Sequence, residues 1–280
     1  MGKRIFERSK IHEFERHLKD EERSSLTVEK YIRDVRSFAE FVGSSEISKQ
    51  LVLEYKNKLG VSYTAVSANS MIAALNSFLR FCGWHELCIK QFKVQRQVYC
   101  SEEKELTRSE YIRLLDAASK RRNERLNLII QTICGTGIRV SELQYVTVEA
   151  LHRGEAVVNC KGKNRRIFIV QRLRNKLLRY VRQHNIVSGA VFVTRSGKPI
   201  SRNNVWREMK QLCKQANVAE SKVFPHNLRH LFARTFYGIE KDIAKLADIL
   251  GHASINTTRI YIVTTGEEHR RKMEHMHLIV

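Results

Sequence analysis

From Ile5 to Phe81 apolar residues recur every three or four positions. Examples are Tyr31, Val35, Phe38, Ala39 and Val42, and Met71, Ala74, Leu75, Phe78 and Leu79. That spacing lines one face of an α-helix. It predicts four helices, over 5–20, 27–43, 48–59 and 64–82. Thr27 and Thr64 fit as N-caps because their side-chain oxygens can accept from the first free backbone N–H groups, and Gly43 and Gly60 stand where helices should stop. Residues 83–105 lose the periodicity and run through Trp84, Lys90, Lys93, Arg96 and the charged stretch SEEKE. A capping-box pair, Thr107 with Glu110, then opens a helix bearing Tyr111, Leu114, Leu115 and Ala118.

The period changes between Ala156 and Val170. Two β-branched runs, AVVN and RIFIV, flank the cationic segment CKGKNR, which predicts a β-hairpin. Helices are expected around 171–185 and 201–217, with a strand-like AVFVT at 190–194 and a turn at Ser196-Gly197-Lys198-Pro199 between them. The last third again reads as helical. The expected architecture is mainly α with a small antiparallel β-sheet: an N-terminal helical bundle over 1–85, a linker over 86–105, and an α+β domain over 106–280.

Composition narrows the partners. The 280 residues contain 50 Lys and Arg against 29 Asp and Glu, a formal net charge of +21. Residues 1–100 carry 17 basic and 12 acidic side chains and residues 101–280 carry 33 and 17, so the second domain bears most of the field that attracts polyanions. The six cysteines form no CxxC pair and read as reduced thiols. The charged N-terminus does not resemble a signal peptide, and no run approaches the ~20 apolar residues of a membrane span. A cytoplasmic protein without a membrane partner is expected.

Three clusters carry candidate chemistry. In Gly135-Thr136-Gly137-Ile138-Arg139-Val140-Ser141-Glu142-Leu143, a glycine turn presents an arginine able to fork onto two phosphate oxygens. A loop with a surface Arg139 paired to Glu142 is the alternative. Pro225-His226-Asn227-Leu228-Arg229-His230 sets His226 and Arg229 on one helix face, a proton carrier beside a fixed cation. Metal binding by His226 and His230 lacks an HExxH glutamate and an evident third ligand, and histidines that merely cap and pack a helix are the other reading. Leu250-Gly251-His252-Ala253-Ser254, followed by Asn256-Thr257-Thr258-Arg259-Ile260-Tyr261, supplies a tyrosine. Its hydroxyl becomes a nucleophile only where cations or a base favour the phenolate. Taken singly, Tyr261 reads as a half-buried core residue. Together the clusters hold what phosphodiester transfer needs: a nucleophile, positive charge around the reacting phosphorus, and an acid for the leaving group. No carboxylate cluster for two metal ions and no GxxxxGK[ST] loop is present, so no metal or other cofactor is expected.

TGIRVSEL, HNLRH and LGHASINTTRIY resemble, in order and spacing, the signature boxes of the tyrosine recombinase (phage integrase) family, in its two-domain Xer-like form. The resemblance covers nearly the whole chain. It implies a SAM-like core-DNA-binding domain before the catalytic domain, closing on the duplex as a C-shaped clamp. It also implies that Arg139 and Arg229 clamp the scissile phosphate, that His226 and His252 hydrogen-bond it and assist proton transfer, and that Tyr261 attacks to give a 3′-phosphotyrosine and a 5′-hydroxyl. The family's hairpin lysine, which protonates the leaving oxygen, falls on Lys161 in preference to Lys163, and Glu142 supports Arg139. Lys163, Arg165, Arg166 and Arg202 are expected to contact DNA. The expected partner is a double-stranded recombination site, gripped by a homotetramer that exchanges strands through a Holliday junction, in the bacterial cytoplasm with the nucleoid. Segment 262–280 resembles the terminal helix that docks on a neighbour. The implied outcome is integration and excision, inversion or resolution of DNA. A type IB topoisomerase-like or hairpin-forming strand transferase, and a non-catalytic DNA-binding protein, are the competing readings.

Overall fold

The computed structural model describes residues 4, 6–94, 104–160, 163–261 and 273–276. It divides into two compact units, Met1–Arg96 and Gln97–Val280. The first is built from α1 (Arg8–Asp20), α2 (Ser25–Val42), α3 (Lys49–Ser62) and α4 (Ala65–Phe81). Each turns its periodic apolar face inward, for example Ile11, Phe14 and Leu18 on α1 and Val28, Ile32, Val35, Phe38 and Val42 on α2.

Local signals account for most helix ends. Ser48 and Thr64 accept from the backbone N–H groups of Leu51 and Ser67. Thr27 does not open α2. That helix starts at Ser25, and the Thr27 hydroxyl sits 2.8 Å from that of Ser24 inside the first turn. Gly60 does not stop α3, which continues to Ser62, and its missing side chain leaves room for the Phe92 ring, 3.0 Å from where a Cβ would stand. Part of the expected linker is tied to the bundle. Asn76 exchanges hydrogen bonds with the Ile89 backbone at 2.8 and 2.9 Å, and Asn69, two turns earlier on the same face of α4, does the same with Phe92 at 2.9 and 2.7 Å. These amides replace a strand partner, so the segment docks without any apolar period.

The second unit comprises α5 (Arg108–Lys120), α6 (Glu124–Thr136), a 3₁₀ turn (Val140–Tyr145), α7 (Val148–Arg153), β1 (Glu155–Cys160), β2 (Lys163–Phe168), α8 (Gln171–Gln183), α9 (Arg202–Lys210), α10 (Cys213–Ala216), α11 (Pro225–Glu240), α12 (Ile243–Leu250) and α13 (Ile255–Arg259). The Thr107–Glu110 capping box is formed in both directions. Helix α6 is the central post, with Leu126, Leu128, Ile129, Ile130, Thr132, Ile133 and Thr136 all buried as α5, α8, α9 and α11 pack around it. The hairpin pairs Glu155 with Phe168 through Cys160 with Lys163, which buries Ala156, Val158 and Ile167 and leaves Val157 and Phe168 outward.

Two further expectations are corrected. AVFVT at 190–194 makes only isolated bridges, Thr147 with Ala190 and Val193 with Pro199. Pro199 has no N–H with which to extend a ladder, and Val191 and Phe192 are buried in succession, without alternation. The helix expected over 201–217 is two, α9 and α10. Between them the Leu212 N–H reaches back only three residues, to the Met209 oxygen. Of segment 262–280 only 273–276 are described, so its expected docking helix lies outside the described residues.

Candidate active site

The site forms where the end of α6, the start of α11 and the α12–α13 corner meet. Thr136 ends α6, and Gly137 follows in the left-handed region at φ +66°. A Cβ there would come within 2.4 Å of the Phe232 ring on α11, so glycine is required both by conformation and by the approach of that helix. The turn places Arg139 at the mouth of the 3₁₀ segment. Its own backbone N–H donates to Glu142 Oε2 at 2.7 Å and its Nη1 to Glu142 Oε1 at 3.0 Å.

Glu142 is buried and serves two arginines, because Arg165 on β2 donates to its Oε2 at 2.5 Å and to the Ile249 carbonyl at 2.9 Å. Arg165 thus fastens the hairpin to the end of α12, where Gly251 at φ +65° leaves space for it. A Cβ on Gly251 would stand 2.6 Å from the Arg165 side chain.

Arg229 is 1 % exposed. One guanidinium nitrogen donates to the Gly137 carbonyl. The other donates to the Leu250 carbonyl at 2.6 Å and to His252 Nε2 at 2.9 Å, while among the described residues Nε has no hydrogen-bond partner. Burial, followed by the charge of Arg139, lowers its pKa to about 10, so it remains a cation at neutral pH. Among the described residues no carboxylate pairs with this buried cation, which is held by two carbonyl oxygens and a histidine nitrogen, an arrangement that favours an anionic ligand.

The histidines are pushed the other way. Burial and then Arg229 lower His252 to about 4, burial and then His226 lower His230 to about 4, and burial with Arg229, Arg139 and Arg202 lowers His226. Tyr261 is buried among all three. Its ring centre lies 4.3 Å from that of His230, 5.2 Å from His252 and 5.4 Å from His226. A cavity of about 360 Å³ adjoins the cluster, lined in part by Arg139, Arg202, Trp206, Phe224, His226 and Arg229. Among the described residues, no group of three or more His, Cys, Asp or Glu side chains could hold a metal ion.

The fold therefore brings Arg139, Glu142, Arg202, His226, Arg229, His252 and Tyr261 into one region from segments more than 100 residues apart. Arg165 is turned inward on Glu142. Arg166 is not part of the cluster, being exposed on the hairpin with Glu155 3.8 Å away. Lys161 and the Lys163 side chain lie outside the described residues. Two residues that the sequence did not single out for this role also belong here. His230 packs against Tyr261 with the rings tilted by 35°, and fully buried Thr258 meets His252 Nδ1 at 2.8 Å. The sequence signal for Thr258 is its place one helical turn before Tyr261.

Residues 104–268 match the phage integrase family, and residues 11–86 match the phage integrase N-terminal SAM-like domain. The chain belongs to the phage integrase family of tyrosine recombinases, which are site-specific DNA recombinases. It is 31% identical over 279 residues to tyrosine recombinase XerA of Thermococcus kodakarensis, covering 96% of this chain and 95% of that one. Tyrosine recombinase XerD of Halalkalibacterium halodurans is 28% identical over 283 residues, covering 91% and 92%. In fold the chain is similar to lambda integrase in a dimer bound to a core site, with a TM-score of 0.75 at 17% identity over 92% of this chain and 95% of that one, and in a tetramer bound to a Holliday junction, with a TM-score of 0.72. The mainly α architecture with a small antiparallel sheet, expected from the sequence, is the one observed.

Proposed function

We propose that this recombinase cleaves and rejoins DNA through Tyr261, with Arg139 and Arg229 gripping the scissile phosphate and His226 and His252 hydrogen-bonding it and moving the tyrosine proton. The observation that carries this reading is the convergence of a buried, carbonyl-held Arg229 with His252 and Tyr261 beside a cationic cavity. Fixed positive charge aimed at the developing phosphorane stabilises it more than the ground-state diester. The tyrosine oxygen attacks phosphorus, the bond to the 5′ oxygen breaks, and Lys161 protonates that oxygen. The product is a 3′-phosphotyrosine and a free 5′-hydroxyl. Because the phosphodiester energy is kept in the protein–DNA bond, rejoining is the same step reversed with a new 5′-hydroxyl. Glu142 orients Arg139 in this scheme, and Lys163, Arg166 and Arg202 add contacts to the DNA backbone.

The working assembly in this reading is a homotetramer on two paired double-stranded sites, formed in the cytoplasm where the nucleoid lies, and its outcome is integration and excision, inversion or resolution. Support for the assembly comes from the lambda integrase fold neighbours, solved as a dimer on a core site and a tetramer on a Holliday junction. Among the described residues no helix is long and apolar enough to cross a membrane.

Denaturing covalent capture tests the proposal. Wild type and Tyr261→Phe are incubated with sheared genomic DNA, non-covalent complexes are stripped, and the fragments that remain attached are sequenced. The expected result is an enriched site with wild type and none with the variant. Equal recovery from both would remove Tyr261 as the nucleophile.

A further inference from the structure

The hydrogen bonds around His252 settle where its proton resides. Arg229 Nη2 lies 2.9 Å from His252 Nε2, and Thr258 Oγ1 lies 2.8 Å from His252 Nδ1. A guanidinium can only donate, so the ring nitrogen facing it presents a lone pair. With a pKa of about 4 the ring is neutral near pH 7 and carries one N–H, which therefore sits on Nδ1 and points at the threonine oxygen. The other tautomer would set two N–H groups against each other at Nε2.

Thr258 is well placed to receive this N–H. It is fully buried on α13, a short helix capped by Ser254, and its carbonyl accepts the Tyr261 N–H at 2.9 Å. One residue thus holds the histidine through its side chain and the tyrosine through its backbone. Valine has nearly the same shape but cannot accept a hydrogen bond, so the hydroxyl is separable from the packing.

We propose that Thr258 is a positioning residue that accepts from His252 Nδ1–H in the tautomer that Arg229 selects, and so holds the ring with Nε2 facing Arg229, ready to take the Tyr261 proton. The proposal rests on the reading of Tyr261 as nucleophile. In the step, a phosphate oxygen takes over the Arg229 Nη2 donor and frees the Nε2 lone pair, the Tyr261 O–H bond breaks and its proton passes to His252 Nε2. The phenolic oxygen bonds to phosphorus, and the P–O5′ bond breaks with its electron pair leaving on the 5′ oxygen. The imidazolium so formed still donates from Nδ1 to Thr258. Its new Nε2–H can no longer face Arg229 Nη2 directly, and a phosphate oxygen between the two donors satisfies both. The same threonine therefore serves the histidine before and after proton transfer.

The test uses the full-length chain with ¹⁵N-labelled histidine. Ring NMR without DNA should show the Nδ1–H tautomer at His252 in wild type and in Thr258→Ser, and in Thr258→Val an Nδ1–H proton signal shifted upfield or lost to exchange because its hydrogen-bond acceptor is gone. Single-turnover cleavage of a nicked suicide duplex should fall about tenfold or more in Thr258→Val and stay within about threefold of wild type in Thr258→Ser, with DNA affinity unchanged in both. An Nε2–H tautomer in wild type overturns the proposal, and this result is available even if the valine variant does not fold. An unchanged Nδ1–H proton signal, or an unchanged cleavage rate, in folded Thr258→Val also overturns it. If wild type formed no adduct while its ring shifts were those of Nδ1–H, the nucleophile assignment would fail and the positioning of His252 would stand.

Discussion

The two units bury different chemistry. Among the described residues, the N-terminal unit closes over Phe14, Phe38, Tyr55, Phe78 and aliphatic side chains, with Asp34 and Asn76 as its buried polar groups. The second unit packs an equally apolar core around α6, yet at its edge it also buries Arg229, Glu142, Asn227, Thr136 and Thr258. Burying a charge in hydrogen bonds adds little net stability compared with a well-packed apolar residue, but removing its partners afterwards is costly. The first unit is thus organised for stability. The second accepts a poor exchange at one edge, where in the proposed reaction a preset cation acts on a phosphate.

The strongest test of that contrast is Tyr261→Phe. It should abolish the covalent adduct completely while leaving thermal unfolding within about 1 kcal/mol of wild type, since the stacked ring remains. A parallel loss of stability would mean that Tyr261 belongs to the core and not to the chemistry.

Arg229→Ala should be nearly as severe for cleavage and should also destabilise the second unit by about 3–5 kcal/mol, because the Gly137 and Leu250 carbonyls lose their buried donor. Denaturant titration followed by a probe in each unit measures this. A uniform shift across both units would contradict their separation.

Phe38→Ala should cost a comparable ~3–5 kcal/mol by leaving a cavity, but in the N-terminal unit, with the ring-nitrogen spectrum of His252 unaltered. A changed His252 spectrum would show that the two units share more than a chain.

The smallest expected effect is with pH. His230 and His252 have folded pKa values near 4, below the ordinary 6.5, so the unfolded chain takes up protons that the folded unit refuses. Their contribution to stability is fully present above about pH 6.5 and is lost as pH falls towards 4. The second unit's melting temperature should decline across that window, and His230→Phe should flatten the decline. A melting temperature independent of pH from 7 to 4.5 would count against buried neutral histidines.

Much of this molecule was legible beforehand because its signals are local. Helical periodicity marked α1 to α4, Thr107 with Glu110 announced α5, and alternation around the cationic turn marked the hairpin. Val191 and Phe192 looked like a strand because β-propensity cannot see that Pro199, without an N–H, ends the pairing with Val193. The docking of residues 85–94 was invisible for a related reason, since Asn69 and Asn76 act through amides that carry no hydrophobic period. Arg165 read as one more cation of a basic turn, and only its distance to Glu142 showed that it faces inward.

By itself the sequence determined the helical and hairpin elements, the excess positive charge, and the residue types available for phosphoryl transfer, because periodicity, capping and composition are properties of neighbouring residues. Which arginine is buried, which histidine nitrogen holds the proton and what the tyrosine stacks on were decided only by tertiary structure. Those properties depend on desolvation and on hydrogen-bond partners that lie up to 92 residues away along the chain, as the Gly137 carbonyl does from Arg229.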